Sequence, residues 1–348
     1  MSNRDNIFDL IRHAAACLVL FSHHFALSGY AEPIFLHWDT FGFVSVATFF
    51  AISGYFMPQS FNHSENFVVY LTKRCCRIFP GLIACSFFMC YVIGPIFTPV
   101  PVIDYVLDPH ILKTSISYSF FIGRSIPDVF SDFIYKGAIN GSLWTLPVEF
   151  LSYIILGIIL SYSNTWKSVF ILLLAAMIST FLISAHRIED IAFYGIPLSY
   201  LSMFGIAFSV GALMSMTYQS WINIRGPLVL VSIILILILQ DRPELSILGT
   251  ASLAVLAVIL GVSFRDKLIN GRFDISYGIY IYAFPIQQMV INRVTQHFWL
   301  SLFISIILTG IMATFSYLFI EKPFLYANIK SKKMEPKDVL KPSLNMKV

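Results

Sequence analysis

Ten long runs of apolar residues set the first limit on what this chain can fold into. They lie near residues 7–29, 40–60, 78–98, 144–162, 167–185, 198–218, 226–240, 245–264, 275–293 and 299–320. About 20 apolar residues, at a rise of 1.5 Å each, span a hydrocarbon core of roughly 30 Å. A segment inside lipid must satisfy its own backbone hydrogen bonds, and a helix does so. The runs are therefore predicted to be transmembrane helices.

The composition supports lipid as the natural solvent of the chain. Only 12% of the 348 residues are charged and 57% are apolar, whereas an ordinary soluble domain carries about 25% charged residues. Such a chain has too little charge to cover a water-facing surface. We therefore predict an all-α fold: a polytopic integral membrane helix bundle of about ten transmembrane helices, with no separate soluble domain.

The positions of lysine and arginine predict the orientation of the bundle. With both termini cytoplasmic and the spans alternating, 17 of the 23 Lys and Arg residues lie on the cytoplasmic side and 6 lie outside, as the positive-inside rule requires. The net charge of +4 then reflects topology, and no nucleic-acid partner is expected. Residues 1–324 are predicted to form the membrane domain, and residues 325–348 a basic, disordered cytoplasmic tail at the lipid surface.

Ionisable residues in the first span are candidates for chemistry, because burying them in a membrane is costly. Arg12 and His23 are eleven residues apart, so they share a helix face and lie roughly 16 Å apart along its axis. Asp9 lies about one turn below Arg12. Arginine offers a forked cation for phosphate or carboxylate, and histidine exchanges protons near neutral pH. Asp9, Arg12 and His23 are the predicted catalytic residues, while His24, about 100° away, is predicted to pack.

A structural interpretation of the same span stays open. Asp9 and Arg12 would then form an interfacial ion pair, and His23 would make a buried hydrogen bond.

A basic cluster, Lys73, Arg74 and Arg77, precedes the third apolar run. Arg74 and Arg77, at i and i+3, can face one way on a short interfacial helix. The cluster is predicted to bind an anion. The alternative is that the three cations only follow the positive-inside rule.

Two other features stand inside or beside apolar runs. Glu149 enters the fourth run, where a carboxylate needs a partner or a proton, and Trp144 before it fits an interfacial anchor. Ser53 and Gly54 in the second run provide a place where another helix or a ligand can approach closely. The five cysteines lack metal-ligand spacing, so neither a metal nor a permanently bound cofactor is expected.

Six short motifs follow one another along the chain. They are Asp9-Leu10-Ile11-Arg12 with His23, Phe49-Phe50 with Ser53-Gly54, Arg74 with Arg77-Ile78 and Pro80, Ser142-Leu143-Trp144 with Leu146 and Glu149, Ile275-Ser276-Tyr277-Gly278-Ile279-Tyr280, and Ile320-Glu321-Lys322-Pro323. In this order they resemble the motifs of the acyltransferase 3 family. The resemblance extends from about residue 4 to residue 324, nearly the whole chain.

The resemblance implies transfer of an acyl group, usually acetyl, from cytoplasmic acyl-CoA to a hydroxyl of a cell-surface glycan in the bacterial inner membrane. His23 matches the essential histidine of the family, and Arg12 and Arg77 match positions linked to donor handling. The residues expected to bind acyl-CoA are Lys73, Arg74 and Arg77. The residues expected to bind or support the acceptor are Ser53, Trp144, Glu149 and Tyr277.

The expected partners follow from the same resemblance. They are acetyl-CoA as the donor substrate, an O-antigen or exopolysaccharide or its lipid-linked precursor as the acceptor, and membrane lipid; the sequence is also compatible with a homo-oligomer. One departure weakens analogies with some relatives: Ala283 stands where many of them have histidine, and alanine cannot transfer protons.

Several alternatives remain open at the level of sequence. His23 either takes a proton from the acceptor hydroxyl or carries the acyl group itself. The donor could be another acyl-CoA such as succinyl-CoA. A transporter or flippase for a glycan or small molecule would place the same charges along its path, and a structural membrane protein would use His23 only for packing.

Overall fold

The computed structural model describes residues 6–123, 126, 129–136, 138–242, 244–266, 269 and 273–325. The helices are, in chain order, α1 (Phe8–Leu27), α2 (Phe41–Asn62), α3 (Phe67–Phe87), α4 (Gly94–Ile96), α5 (Val102–Leu107), α6 (Pro109–Ser119), α7 (Thr145–Tyr162), α8 (Trp166–Ser184), α9 (Leu198–Met216), α10 (Tyr218–Trp221), α11 (Arg225–Ile238), α12 (Thr250–Ser263), α13 (Ser276–Met289) and α14 (Phe298–Ser316). Two small antiparallel hairpins pair β1 (Ile34–Phe35) with β2 (Asp39–Thr40) and β3 (Ala192–Phe193) with β4 (Ile196–Pro197). The predicted all-α helix bundle is confirmed.

Several helices continue into segments of different winding. A π-helix over Phe88–Ile93 joins α3 to α4, a 3₁₀ turn over Ile222–Ile224 joins α10 to α11, and a π-helix over Leu245–Gly249 leads into α12. Further π-helical segments extend α13 over Val290–Val294 and α14 over Tyr317–Glu321.

Nine helices within the described ranges are long and apolar enough to cross a membrane, and they coincide with nine of the ten predicted runs. The exception is the run near 275–293, which is helical but falls outside that set of nine. Its central residues are buried among other helices, and Gln287 and Gln288 have no exposed surface. A helix enclosed by protein can carry polar side chains that lipid would not tolerate.

The third helix begins earlier than the hydropathy pattern predicts. It starts at Phe67 because the side chain of Asn66 caps it, accepting a hydrogen bond from the Val69 amide at 2.9 Å. Arg74 and Arg77 therefore lie within the long helix α3, and the short interfacial helix expected for them is wrong. The apolar run revealed only the part of the helix that lacks charge.

Helix α2 is the most buried of the nine spanning helices, and it packs tightly on α9. A methyl group added at Gly54 would lie 2.0 Å from the carbonyl oxygen of Phe208, and one added at Gly211 would lie 2.1 Å from that of Ala51. The close approach predicted at Ser53 and Gly54 is thus a helix–helix contact. This contact holds one wall of the cavity described below.

The segment between α6 and α7 packs against α13. The Asn140 amide donates to the Ile281 carbonyl at 2.8 Å, and the Gln288 amide donates to the Ala138 carbonyl at 3.0 Å. The buried rings of Phe130 and Phe133 stack in the same segment. These contacts fix the backbone that carries Ser142 into α7.

Some sequence predictions fall outside the described residues. The predicted basic tail lies outside them, except for Leu325. Four residues used in the count of charges on the two sides of the membrane also lie outside them: Arg4, Arg124, Lys267 and Arg272.

Candidate functional site

A cavity of about 840 Å³ lies between α1, α2, α3, α7 and α13. It runs from the end of the bundle that carries Arg12, Arg74 and Arg77, here named the basic end, to Thr145 and Tyr280. The end of the bundle beyond Thr145, which carries His23 and Ser142, is named the opposite end.

Eight of the ten predicted site residues line this cavity: Asp9, Arg12, Ser53, Lys73, Arg74, Arg77, Glu149 and Tyr277. They come from five different helices or helix ends, so the tertiary structure brings them together. His23 and Trp144 are not among the lining residues.

The charges at the basic end are largely paired. Arg12 donates to Asp9 at 3.2 Å, as one helical turn between them allows. Arg77 donates to Asp274 at 2.6 Å, and Arg12 lies 4.0 Å from the same carboxylate. Burial raises the pKa of Asp274, but Arg77 and Arg12 outweigh it and hold this pKa below its usual range. Asp274 is therefore an anion that joins α1 and α3 to the start of α13.

Arg74 has a different environment from the other two arginines. Its guanidinium donates to Ser60 Oγ at 3.3 Å, a long hydrogen bond to a neutral group. Its buried Nε has no hydrogen-bond partner, and no ion pair between Arg74 and a carboxylate occurs among the described residues. Beside it, Lys73 donates to Ser64 Oγ at 2.7 Å and to the His63 carbonyl at 3.0 Å.

Glu149 lies in the middle part of the cavity wall. One of its carboxylate oxygens accepts hydrogen bonds from Ser53 Oγ, at 2.7 Å, and from the Tyr153 hydroxyl. The sequence motif predicts that this carboxylate needs partners, and α2 and α7 supply them. Tyr277 anchors the wall from α13, because its hydroxyl donates to the Ile78 carbonyl at 2.7 Å.

A chain of polar contacts closes the cavity toward the opposite end. The hydroxyls of Thr145 and Tyr280 are 2.5 Å apart, and Tyr280 also donates to the Ser142 carbonyl at 2.8 Å. Ser142 Oγ lies 3.3 Å from His23 Nδ1. His23 is thus one residue beyond the wall of the cavity. A hydrogen bond at Nδ1 leaves the other ring nitrogen, Nε2, for a reacting group.

One carboxylate and the hydroxyls of Ser142 and Ser22 lie at the opposite end together with His23. Glu32, in the loop between α1 and α2, accepts a hydrogen bond from Ser22 Oγ at 2.5 Å. Ser22 Oγ in turn accepts from the Gly42 amide at 3.0 Å. Glu32 is also close enough to His23 to act as a counter-charge when the ring is protonated.

Three other residues that the sequence singled out, His24, Trp144 and Ala283, pack against neighbouring side chains. His24 is fully buried, with Nε2 2.9 Å from Ser301 Oγ and Nδ1 3.0 Å from the Gln287 amide nitrogen. The prediction that His24 packs is therefore confirmed. Trp144 is 43% exposed and lies against the Tyr200 ring, with centroids 4.5 Å apart. Ala283 is buried among apolar residues of α1, α13 and α14.

Sequence reasoning missed Asp274, Tyr153 and Tyr280 as site residues. Asp274 comes just before the Ile275–Tyr280 motif, and a charged residue at the start of an apolar run could have drawn attention to it. Tyr153 lies one turn after Glu149 on the same helix, where an acid and a phenol can meet. The contact of Tyr280 with Thr145 has no local signal, because 135 residues separate the two.

Comparisons with known proteins identify the family of the chain. The family model described as an acyltransferase domain matches residues 5–321. A protein of Shigella phage Sf6 named O-acetyl transferase is 36% identical over 327 residues, which cover 93% of this chain and 97% of the relative. Nodulation protein 10 of Rhizobium leguminosarum bv. viciae is 27% identical over 347 residues, covering 92% and 94%. No solved structure matches the chain.

Proposed function

The chain belongs to the acyltransferase 3 family and is a multi-pass membrane O-acetyltransferase, and from this premise we propose that it moves an acetyl group from cytoplasmic acetyl-CoA to a hydroxyl of a cell-surface polysaccharide. The bacterial inner membrane is the proposed location. O-antigen or exopolysaccharide, free or lipid-linked, is the proposed acceptor class.

One observation carries the proposal: a charged cavity at one end of the bundle and a histidine just beyond the wall at its far end. The basic end of the cavity is lined by two carboxylates, on Asp9 and Asp274, and by four cations, on Arg12, Lys73, Arg74 and Arg77. The excess of positive charge suits a donor that bears phosphates. The volume of about 840 Å³ is within the range of small-molecule and cofactor sites. The positive-inside rule assigns the basic end to the cytoplasm, where acyl-CoA is made.

In the proposed reaction, the acyl donor and the acceptor meet at the wall formed by Thr145 and Tyr280. The phosphates of acetyl-CoA bind at the basic end, and the thioester lies toward the wall. His23 takes the proton of the acceptor hydroxyl, the acceptor oxygen bonds to the acetyl carbon, and the carbon–sulfur bond breaks. The released thiolate takes up a proton, which gives CoA and the acetyl ester.

Neighbouring groups support His23 in this role. Ser142 Oγ, which lies 3.3 Å from Nδ1, makes a long hydrogen bond that helps to direct the ring. The Glu32 carboxylate, held by Ser22, stabilises the ring while it carries the transferred proton. A loop carboxylate beside the histidine therefore supports proton transfer on this side of the bundle.

Purified protein in sealed liposomes tests the proposal. Acetyl-CoA is supplied on one side and a glycan extract from the host surface on the other, and release of free CoA is followed with succinyl-CoA as a second donor. We expect CoA release that depends on the glycan and on acetyl-CoA, with acetyl ester appearing on the glycan.

Liposomes without protein and protein without glycan are the controls. Glycan flux across the membrane without any CoA release would contradict the proposal and favour a transporter. Preference for succinyl-CoA would keep the enzyme class and correct the acyl group.

A further inference from the structure

We infer that the two arginines of the motif at 74–80 have separate tasks: Arg74 binds a phosphate of the acyl donor, whereas Arg77 is a positioning residue held by Asp274. This inference rests on the proposed function, because it assigns parts of the donor site. It also reduces the number of arginines expected to contact the donor phosphates, because the sequence motif by itself assigns both arginines to donor binding.

Arg77 is already neutralised in the protein. Its guanidinium donates to Asp274 at 2.6 Å, and Glu321, which is 1% exposed, attracts it as well. A phosphate would have to displace a buried carboxylate to reach it, and breaking a buried ion pair is costly. The pair instead joins α3 to the start of α13, and Asp274 is further tied by the Ser276 hydroxyl at 2.6 Å.

Arg12 is similarly engaged. It pairs with Asp9 at 3.2 Å and lies 4.0 Å from Asp274. Its guanidinium also lies 5.3 Å from the centroid of the Phe56 ring. Arg12 thus has a carboxylate partner on its own helix.

Arg74, unlike Arg77 and Arg12, has no carboxylate partner among the described residues. Among the residues that the structure describes, its buried Nε has no hydrogen-bond partner and its guanidinium makes one long hydrogen bond, to Ser60. The side chain also lines the cavity. A buried donor without an acceptor costs free energy, and an incoming phosphate oxygen would supply the missing acceptor. The forked guanidinium suits that bond. Arg74 is accordingly the arginine whose hydrogen bonding is completed by the ligand.

Matched variants separate the two tasks. Arg74→Gln, Arg77→Gln and the double variant Arg77→Gln/Asp274→Asn are purified in detergent, and the Kd of CoA is measured by calorimetry beside the thermal midpoint. The double variant removes the ion pair without changing the net charge of the cavity and leaves two amides that can bond to each other. It therefore keeps the test valid where Arg77→Gln alone fails to fold.

We expect Arg74→Gln to weaken CoA binding at least about tenfold with a thermal midpoint near that of the native protein. The double variant should bind CoA within about threefold of native, although its thermal midpoint falls. Equal loss of CoA affinity in Arg74→Gln and the double variant would overturn the inference. Absence of CoA binding to the native protein would instead refute the proposed function, so the two failures are distinguishable.

Discussion

The basic end and the opposite end of the bundle handle polar groups in different ways. At the basic end, Arg12 and Arg77 meet carboxylates, and a cavity lies open between them. At the opposite end, His23 meets the Ser142 hydroxyl and has Glu32 as its nearby charge. Ion pairs hold the helices around this cavity, and Arg74, which has no carboxylate partner among the described residues, suits the binding of an anionic ligand. A titratable ring beside hydroxyls suits the movement of a proton.

The two ends of the bundle therefore have different tasks, which are separated along the bundle axis. Binding groups collect at one end and the proton-transfer group at the other, with Thr145 and Tyr280 between them. Variants at the two ends should therefore change different measured quantities: donor affinity at the basic end and turnover at the opposite end.

The largest effect is expected from His23→Ala. A positioned acid or base contributes about 10²–10⁴-fold to rate, so kcat for acetyl transfer should fall by that order while the Kd of CoA stays near native. His24→Ala is the matched control on the same helix. Loss of its buried hydrogen bonds should cost about 1–3 kcal/mol of stability and leave kcat close to native. Turnover that survives in a folded His23→Ala protein would remove the distinction between the two ends.

Ser142→Ala should have the next largest effect. Without the hydroxyl beside Nδ1, the His23 ring is less well oriented, and we expect kcat to fall about tenfold with unchanged donor affinity. The pH profile of kcat should also shift, because the hydrogen bond influences the basicity of the ring. An altered KM for acetyl-CoA with an unchanged profile would place Ser142 in the donor site instead.

Tyr280→Phe tests the wall between the two ends. It removes one hydroxyl that contacts both Thr145 and the Ser142 carbonyl. A hydrogen bond of about 1 kcal/mol corresponds to roughly fivefold in rate, so a modest fall in kcat is expected. If the variant hydrolyses acetyl-CoA faster than the native protein in the absence of acceptor, the native wall excludes water from the donor. That result would strengthen the distinction between the two ends. An increase in glycan-dependent kcat would contradict the expectation.

The smallest effect concerns pH at the basic end. The pKa of Asp274 is lower in the folded protein than in the unfolded chain, so its contribution to stability is complete above the unfolded value of about 3.9. That contribution is lost only as pH falls from there toward the folded pKa. The thermal midpoint of the native protein should therefore exceed that of Asp274→Asn throughout the range from about pH 8 to pH 5. A difference that disappears within that range would contradict the pairing.

Prediction from the sequence succeeds for local features and fails for distant ones. Asp9 and Arg12 lie three residues apart on one helix, and their contact followed from helical geometry. Asp274 and Arg77 lie 197 residues apart, and no periodicity connects them. The helix near 275–293 was also predicted, but its enclosure by other helices was not, because hydropathy cannot distinguish a buried polar side chain from an exposed one.

By itself, the sequence determined the class of the protein. Lipid cannot satisfy an open backbone, and apolar runs of about 20 residues have the length of membrane-spanning helices, so they favour a helix bundle. The ordered motifs placed the chain among acyltransferases. The tertiary structure alone decided which charges from distant parts of the chain face one another. It paired Arg77 with Asp274, left Arg74 without a carboxylate among the described residues, and set His23 behind the wall of the cavity. The physical reason is that ion pairs and hydrogen bonds act over a few ångströms of space, and only packing brings distant parts of the chain that close.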